Sequence, residues 1–123
     1  MKLHVKETLD DIFGMANLFP EKTGLSVDIW SDHRGIKRNV SHNYTPRLKI
    51  GTDEYQASVS ISEHPIFLTD VSRISSNIVK QMKKAFPYIS RNYDLFLKHY
   101  EDVNNQFSDE DLVQSLRERG DYK

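Results

Sequence analysis

The chain reads as an α+β protein: a small antiparallel sheet of three or four strands packed against two or three C-terminal helices. Three observations predict this. Apolar residues alternate with polar ones at Leu25-Val27-Ile29, Leu48-Ile50 and Ala57-Val59-Ile61, the period of half-buried strands. Beyond residue 69 the spacing changes to that of helices with one apolar stripe, as in Ile74-Ile78-Met82 and Ile89-Tyr93-Phe96-Tyr100. Strand patterns precede helix patterns instead of alternating with them, and no internal repeat or low-complexity linker intervenes. At 123 residues the chain is long enough to bury roughly two-thirds of its unfolded surface. One domain over 1–123 is therefore expected, with a short N-terminal helix and the sheet over 1–68 and a helical half over 69–120.

Each element has its own signal. Leu9, Ile12 and Phe13 lie at i, i+3, i+4 in a short helix over Thr8–Phe13 that Gly14 ends. Phe19-Pro20 and Thr23-Gly24 read as turns. Strands follow near 25–31, 46–51 and 55–62; Gly51-Thr52-Asp53-Glu54 turns the second into the third as a hairpin. Ile66-Phe67-Leu68, after Pro65, suits an edge segment. Thr69 or Ser72 caps the first long helix, whose Lys80, Lys83 and Lys84 face outward. Pro87 kinks that helix or starts the next, because it lacks a donor and clashes with the preceding turn. The stripe from Ile89 runs on to Asn104-Asn105. Ser108 and Asp111 then form a capping-box-like start for a last helix carrying Leu112, Val113 and Leu116, stopped at Gly120.

Composition narrows the function classes. With 37% hydrophobic and 28% charged residues the chain is too apolar for disorder. Its longest apolar runs are a few residues, far short of a membrane span. The opening Met-Lys-Leu-His-Val-Lys-Glu lacks the apolar core of a secretory signal. There is no Cys, which excludes disulfides, thiolate metal sites and Cys nucleophiles and suits a reducing compartment. A soluble cytoplasmic domain is the expectation.

The net charge of −1 hides a polarity. Arg34, Lys37, Arg38, Arg47 and Lys49 fall within one stretch that holds no Asp or Glu, whereas from Asp94 onward eight acids face four Lys or Arg. Such asymmetry suits an oppositely charged partner, or a pairing of the acidic tail with the basic loop. The loop's cations can contact phosphates, with Trp30 or Tyr44 stacking on unpaired bases. The pI of about 6.5 is below that of a dedicated nucleic-acid binder. Trp30 also lies in an alternating strand, where closing the far face of the sheet is the commoner role, and Met15 and Met82 read as core.

Signals for chemistry are sparse. His33, His42 and Arg47 lie near one loop, and two imidazoles with a guanidinium suffice for metal-independent RNA cleavage. One His would take the 2′-OH proton, the other would protonate the leaving oxygen, and Arg47 would hold the phosphorane. Asp28 or Asp32 would orient a histidine. Asp32, His33, His42 and His64 are the residue types of a metal site but lack any recognised ligand spacing. No Gly-rich phosphate loop and no G-x-S-x-G elbow is present. No cofactor and no metal is expected.

The string Asn17-Leu18-Phe19-Pro20-Glu21-Lys22-Thr23-Gly24-Leu25, followed by Ile29-Trp30-Ser31 and Pro46-Arg47-Leu48-Lys49-Ile50, resembles a family of short uncharacterised bacterial proteins. These share an N-x-x-P-x-x-T-G-L, I-W-x-S, R-I-K-V pattern. Arg91-Asn92 through Leu95, Tyr100 and Glu101 is similar to their N-x-x-L-x-x-x-W helix. More distantly, strands followed by a helix resemble small domains found beside toxin–antitoxin genes. Those domains carry an Asp-His-x-Pro-Pro-His-x-His element; here Asp32-His33 matches its start, and Tyr44-Thr45-Pro46-Arg47 replaces the rest. The resemblance implies a mobile-element or prophage setting and no particular reaction.

Two functions are therefore expected to compete. The favoured one is a non-enzymatic binding or regulatory protein, antitoxin-like or anti-defence, that meets a protein or nucleic acid through Trp30, Arg34, Lys37, Arg38, Tyr44, Arg47 and Lys49. The other is a ribonuclease-type toxin using His33, His42 and Arg47.

Overall fold

Short strands with apolar residues on alternate positions pair in the order they occur along the chain. In the computed structural model, which describes residues 15–33, 45–102, 104 and 106–123, they form a four-stranded antiparallel meander. Its strands are β1 (Met15–Leu18), β2 (Asp28–Asp32), β3 (Arg47–Gly51) and β4 (Gln56–Ser60). The helix expected over Thr8–Phe13 lies outside the described residues. Register aligns Leu18, Ile29, Ile50 and Ala57 in one row across the sheet, all buried, so the alternation has become a continuous apolar face.

Two details depart from expectation in the sheet. β1 has no counterpart among the expected strands, because four residues with Asn17 in their midst carry too little period to declare one. Its pairing with β2 makes it a strand. The strand expected from residue 25 begins at Asp28 instead, after a single helical turn, α1 (Pro20–Thr23), that Gly24 closes at φ 86°. The expected turns at Phe19-Pro20 and Thr23-Gly24 are the two ends of α1. In the hairpin between β3 and β4, Gly51 adopts φ 144°, and a Cβ there would collide with the Tyr55 backbone carbonyl. Phe67 bridges Val59 at the β4 edge, as expected after Pro65.

The helical half starts later than Thr69 or Ser72. Thr69 instead uses its hydroxyl to accept from Ser58 N–H (2.9 Å), and Asp70 accepts from Ser72 N–H (2.9 Å). The Thr69 bond ties the linker to the β4 edge, so Ser75 becomes the N-cap, accepting from Ile78 N–H at 3.3 Å. α2 (Ser76–Lys83) follows. Pro87 lies in the first turn of α3 (Phe86–Arg91), where its missing donor costs nothing.

The stripe from Ile89 to Tyr100 is not one helix. It breaks at Asn92, between α3 and α4 (Tyr93–Glu101). Asn92 is fully buried and adopts φ −117°, ψ 17°. Its amide donates to Tyr88 O (3.1 Å) and to Asp121 Oδ2 (2.8 Å), and its Oδ1 accepts from Arg119 (3.1 Å). Asp121 also binds Arg91 in a fork, Arg119 binds Asp94 at 2.6 and 2.9 Å, and the Tyr88 hydroxyl donates to Asp121 O at 2.6 Å. This clamp fastens the chain end to the α3–α4 corner. It also occupies Asp121, one acid of the tail expected to pair with the basic loop.

α5 (Asp109–Glu118) starts with the expected capping box of Ser108 and Asp111, and Gly120 follows it at φ 80°. α4 rests on β2 and α5 on β1. Met82, Tyr88, Ile89, Phe96, Leu112 and Leu116 fill the space between helices and sheet. No described helix is long and apolar enough to cross a membrane.

Candidate functional site

The two faces of β2 carry different chemistry. Asp28, Trp30 and Asp32 point one way, and Ile29 and Ser31 point to the helices. On the face away from the helices, Asn17, Trp30, Lys49 and Ser58 form one cross-strand row. Arg47, two residues along β3, shares that face. Arg47 and Lys49 are exposed and Trp30 is half-buried, so Trp30 is not part of the core between sheet and helices. Acids gather toward the other end of the face. There burial, then Asp53, then Glu21 push the Asp28 carboxyl above its ordinary range. Arg34, Lys37, Arg38, His42 and Tyr44 lie outside the described residues.

On the opposite face a compact polar cluster forms at the end of β2. Ser31 is fully buried on the core side, where the alternation with Val27 and Ile29 directs it. His99 is also fully buried, in the last turn of α4 on the same stripe as Phe96 and Tyr100. Ser31 Oγ lies 2.8 Å from His99 Nδ1, and Asp109 Oδ1 lies 2.7 Å from His99 Nε2. Asp109 is the first residue of α5, where the helix dipole favours a carboxylate. The connection that delivers it is held by Asp102, which accepts from Gln106 and Phe107 N–H at 2.9 and 3.1 Å.

His33 completes the cluster. Its ring centre is 4.4 Å from that of His99, its Nδ1 is 2.9 Å from the His99 carbonyl oxygen, and its Nε2 is 3.9 Å from Asp109 Oδ1. A carbonyl only accepts, so Nδ1 of His33 carries a proton whenever that bond is made. In a neutral His33 the lone pair is then on Nε2, facing the Asp109 carboxylate. His99 is depressed from the ordinary histidine range by burial, opposed by its hydrogen bond to Asp109 and reinforced by His33. With a neutral ring, Nε2–H donates to Asp109 and Nδ1 accepts from the Ser31 hydroxyl.

Of the residues proposed for RNA cleavage, His33 joins this cluster, whereas Arg47 is on the other face of the sheet. His64 is exposed beyond β4. His99, Ser31 and Asp109 are not among the residues that the sequence singles out. A histidine at the position that Phe96 and Tyr100 predict to be buried is a usable signal. So is a serine at an inward strand position. Asp109 gives none, since an acid in a first helical turn is ordinary.

No protein-family model, curated protein or solved structure matches this chain.

Proposed function

We propose that the protein is a non-enzymatic binding module, of antitoxin-like, anti-defence or regulatory type, that engages an anionic macromolecular partner through the sheet face bearing Trp30, Arg47 and Lys49. The observation that carries this reading is the pairing of Trp30 with Lys49 across β2 and β3, with the exposed Arg47 beside them. An aromatic platform flanked by cations suits stacking combined with backbone charge contacts. In sequence, Arg34, Lys37, Arg38 and Tyr44 fall between Asp32 and Arg47, in the stretch that holds no acid.

Trp30 is the only Trp, which makes its fluorescence a local reporter. Single-stranded RNA of mixed sequence should quench it with a salt-dependent affinity. Replacing Arg47 and Lys49 together by Ala should lower the slope of log affinity against log salt by about 1.4, at about 0.7 for each phosphate no longer neutralised. Quenching by RNA with an unchanged slope would remove these two residues from the interface. Absence of quenching by both RNA and duplex DNA would leave an acidic protein surface as the partner. Cleavage of the RNA, abolished by His33→Ala and by His42→Ala, would instead establish the ribonuclease reading.

A further inference from the structure

We infer that His33, His99 and Asp109 form a binding site for a divalent transition metal of the zinc type, with Nε2 of each histidine and one Asp109 oxygen as ligands. One donor atom from each of the three residues lies within 4.8 Å of the others, and Asp109 Oδ1 lies 2.7 Å from His99 Nε2 and 3.9 Å from His33 Nε2. Ligands at about 2.0–2.2 Å from a common zinc ion are themselves roughly 3–4 Å apart, so side-chain adjustments of an ångström or less bring these three onto one ion. Two imidazoles and a carboxylate are a standard donor set for zinc and its neighbours.

The other two ring nitrogens point more strongly to a metal. In metal sites the ring nitrogen not bound to metal donates to a carbonyl, carboxylate or other acceptor, which fixes the tautomer and aims the ligand. His33 already has this arrangement: its Nδ1 is held by the His99 carbonyl at 2.9 Å, which leaves Nε2, 3.9 Å from Asp109 Oδ1, as the nitrogen for a metal. For His99 the Ser31 hydroxyl, at 2.8 Å from Nδ1, accepts as readily as it donates. The ring therefore shifts its proton from Nε2 to Nδ1 without losing a partner, and Nε2 becomes free to bind metal. The Ser31 side chain is thus a positioning group that does not touch the ion.

Exposure is consistent with entry from solvent. The His99 side chain is sealed, while those of His33 and Asp109 keep 22% and 33% of their surface exposed. The metal would be held from the core side by His99 and approached from the outside, leaving its remaining position to water.

The test uses the whole chain, stripped with a chelator and titrated with Co2+ and then with Zn2+ in competition. One Co2+ per chain should bind, with the visible absorption of a low-coordinate site, and Zn2+ should displace it. His33→Ala and Asp109→Asn should abolish that band while leaving the far-ultraviolet circular dichroism unchanged; both side chains are partly exposed. His42→Ala and His64→Ala should leave it intact. Ser31→Ala should keep the band and weaken binding about 10–100-fold. Folded wild-type protein that takes up no stoichiometric metal overturns the inference. So does uptake that survives both His33→Ala and Asp109→Asn.

Discussion

Two polar networks order the helical half of this molecule, one within it around Asn92 and one tying it to the sheet around His99, and they are built on opposite principles. The clamp around Asn92 is saturated: the two guanidiniums of Arg91 and Arg119 face the two carboxylates of Asp121 and Asp94, and the Asn92 amide is bonded at both nitrogen and oxygen. In the cluster around His99, Asp109 Oδ1 lies near Nε2 of both imidazoles, at 2.7 Å from His99 and 3.9 Å from His33. A saturated network has nothing left to bind with, and its role is to set the α3–α4 corner and the chain end. A network in which two imidazole nitrogens and a carboxylate oxygen converge is where binding or chemistry is expected.

The largest effect should come from cutting the clamp at its buried centre. Asn92→Ala removes the side-chain donor to the Tyr88 carbonyl, one of two donors to Asp121 Oδ2 and the acceptor of Arg119, at a cost of about 2–3 kcal/mol for buried groups left unpaired. Urea denaturation of the variant, compared with wild type, checks this. A loss below about 0.5 kcal/mol would mean the corner is held by the apolar stripe alone, and the distinction between the networks would fail.

Acid should then separate the networks. His99 has a folded-state value below its ordinary 6.5. Above that pH both folded and unfolded chains carry it neutral, and its contribution is complete. As pH falls below about 6.5 the unfolded state takes up a proton that the folded state refuses, and stability declines by at most about 1.4 kcal/mol per pH unit. The carboxyls of Asp94 and Asp121 are lowered by hydrogen bonds from Arg119 and Arg91 respectively. Their contribution holds above the ordinary carboxylate value of 3.8 and is lost only as pH falls below it. Between about pH 6.5 and 4, then, the cluster responds and the clamp does not. Metal-free protein melted across this range, with the imidazole proton resonances of His99 followed in parallel, should show His99 taking up its proton at a lower pH than an ordinary histidine. A His99 titrating at an ordinary 6.5 would contradict its assigned state.

The smallest effect is the most diagnostic. Arg119→Ala removes a largely exposed ion pair with Asp94 together with one donor to the buried Asn92 Oδ1, and should cost about 1–2 kcal/mol. His33→Ala removes one hydrogen bond, from a partly exposed ring to the His99 carbonyl, and should cost about 0.5 kcal/mol. Chemical denaturation of both variants should therefore give shifts of clearly different size. A loss at His33 equal to that at Arg119 would make the two networks alike in kind.

Where a feature depends on neighbours a few residues away, it was legible in the sequence. The alternation through Ile29, Ile50 and Val59 set the inward faces of three strands, and Ser108 with Asp111 announced α5. Pro87 likewise announced a helix start. The missed elements depend on distant partners. Met15–Leu18 is a strand because β2 lies beside it. The helix breaks at Asn92 because Asp121, 29 residues on, draws its side chain. Thr69 is not a cap because Ser58 on the sheet edge claims its hydroxyl.

The candidate metal cluster divides along the same line. By itself the sequence places His99 on the helical stripe of Phe96 and Tyr100 and Ser31 on the strand face of Ile29, and that they are buried is shown by the structure. Periodicity sets which side of an element a residue occupies and is blind to what waits there. Only the tertiary structure decided that Ser31, 68 positions away in sequence, meets one nitrogen of His99 while Asp109 meets the other. Proton placement on an imidazole depends on hydrogen-bond partners within about 3 Å, and packing chooses those partners.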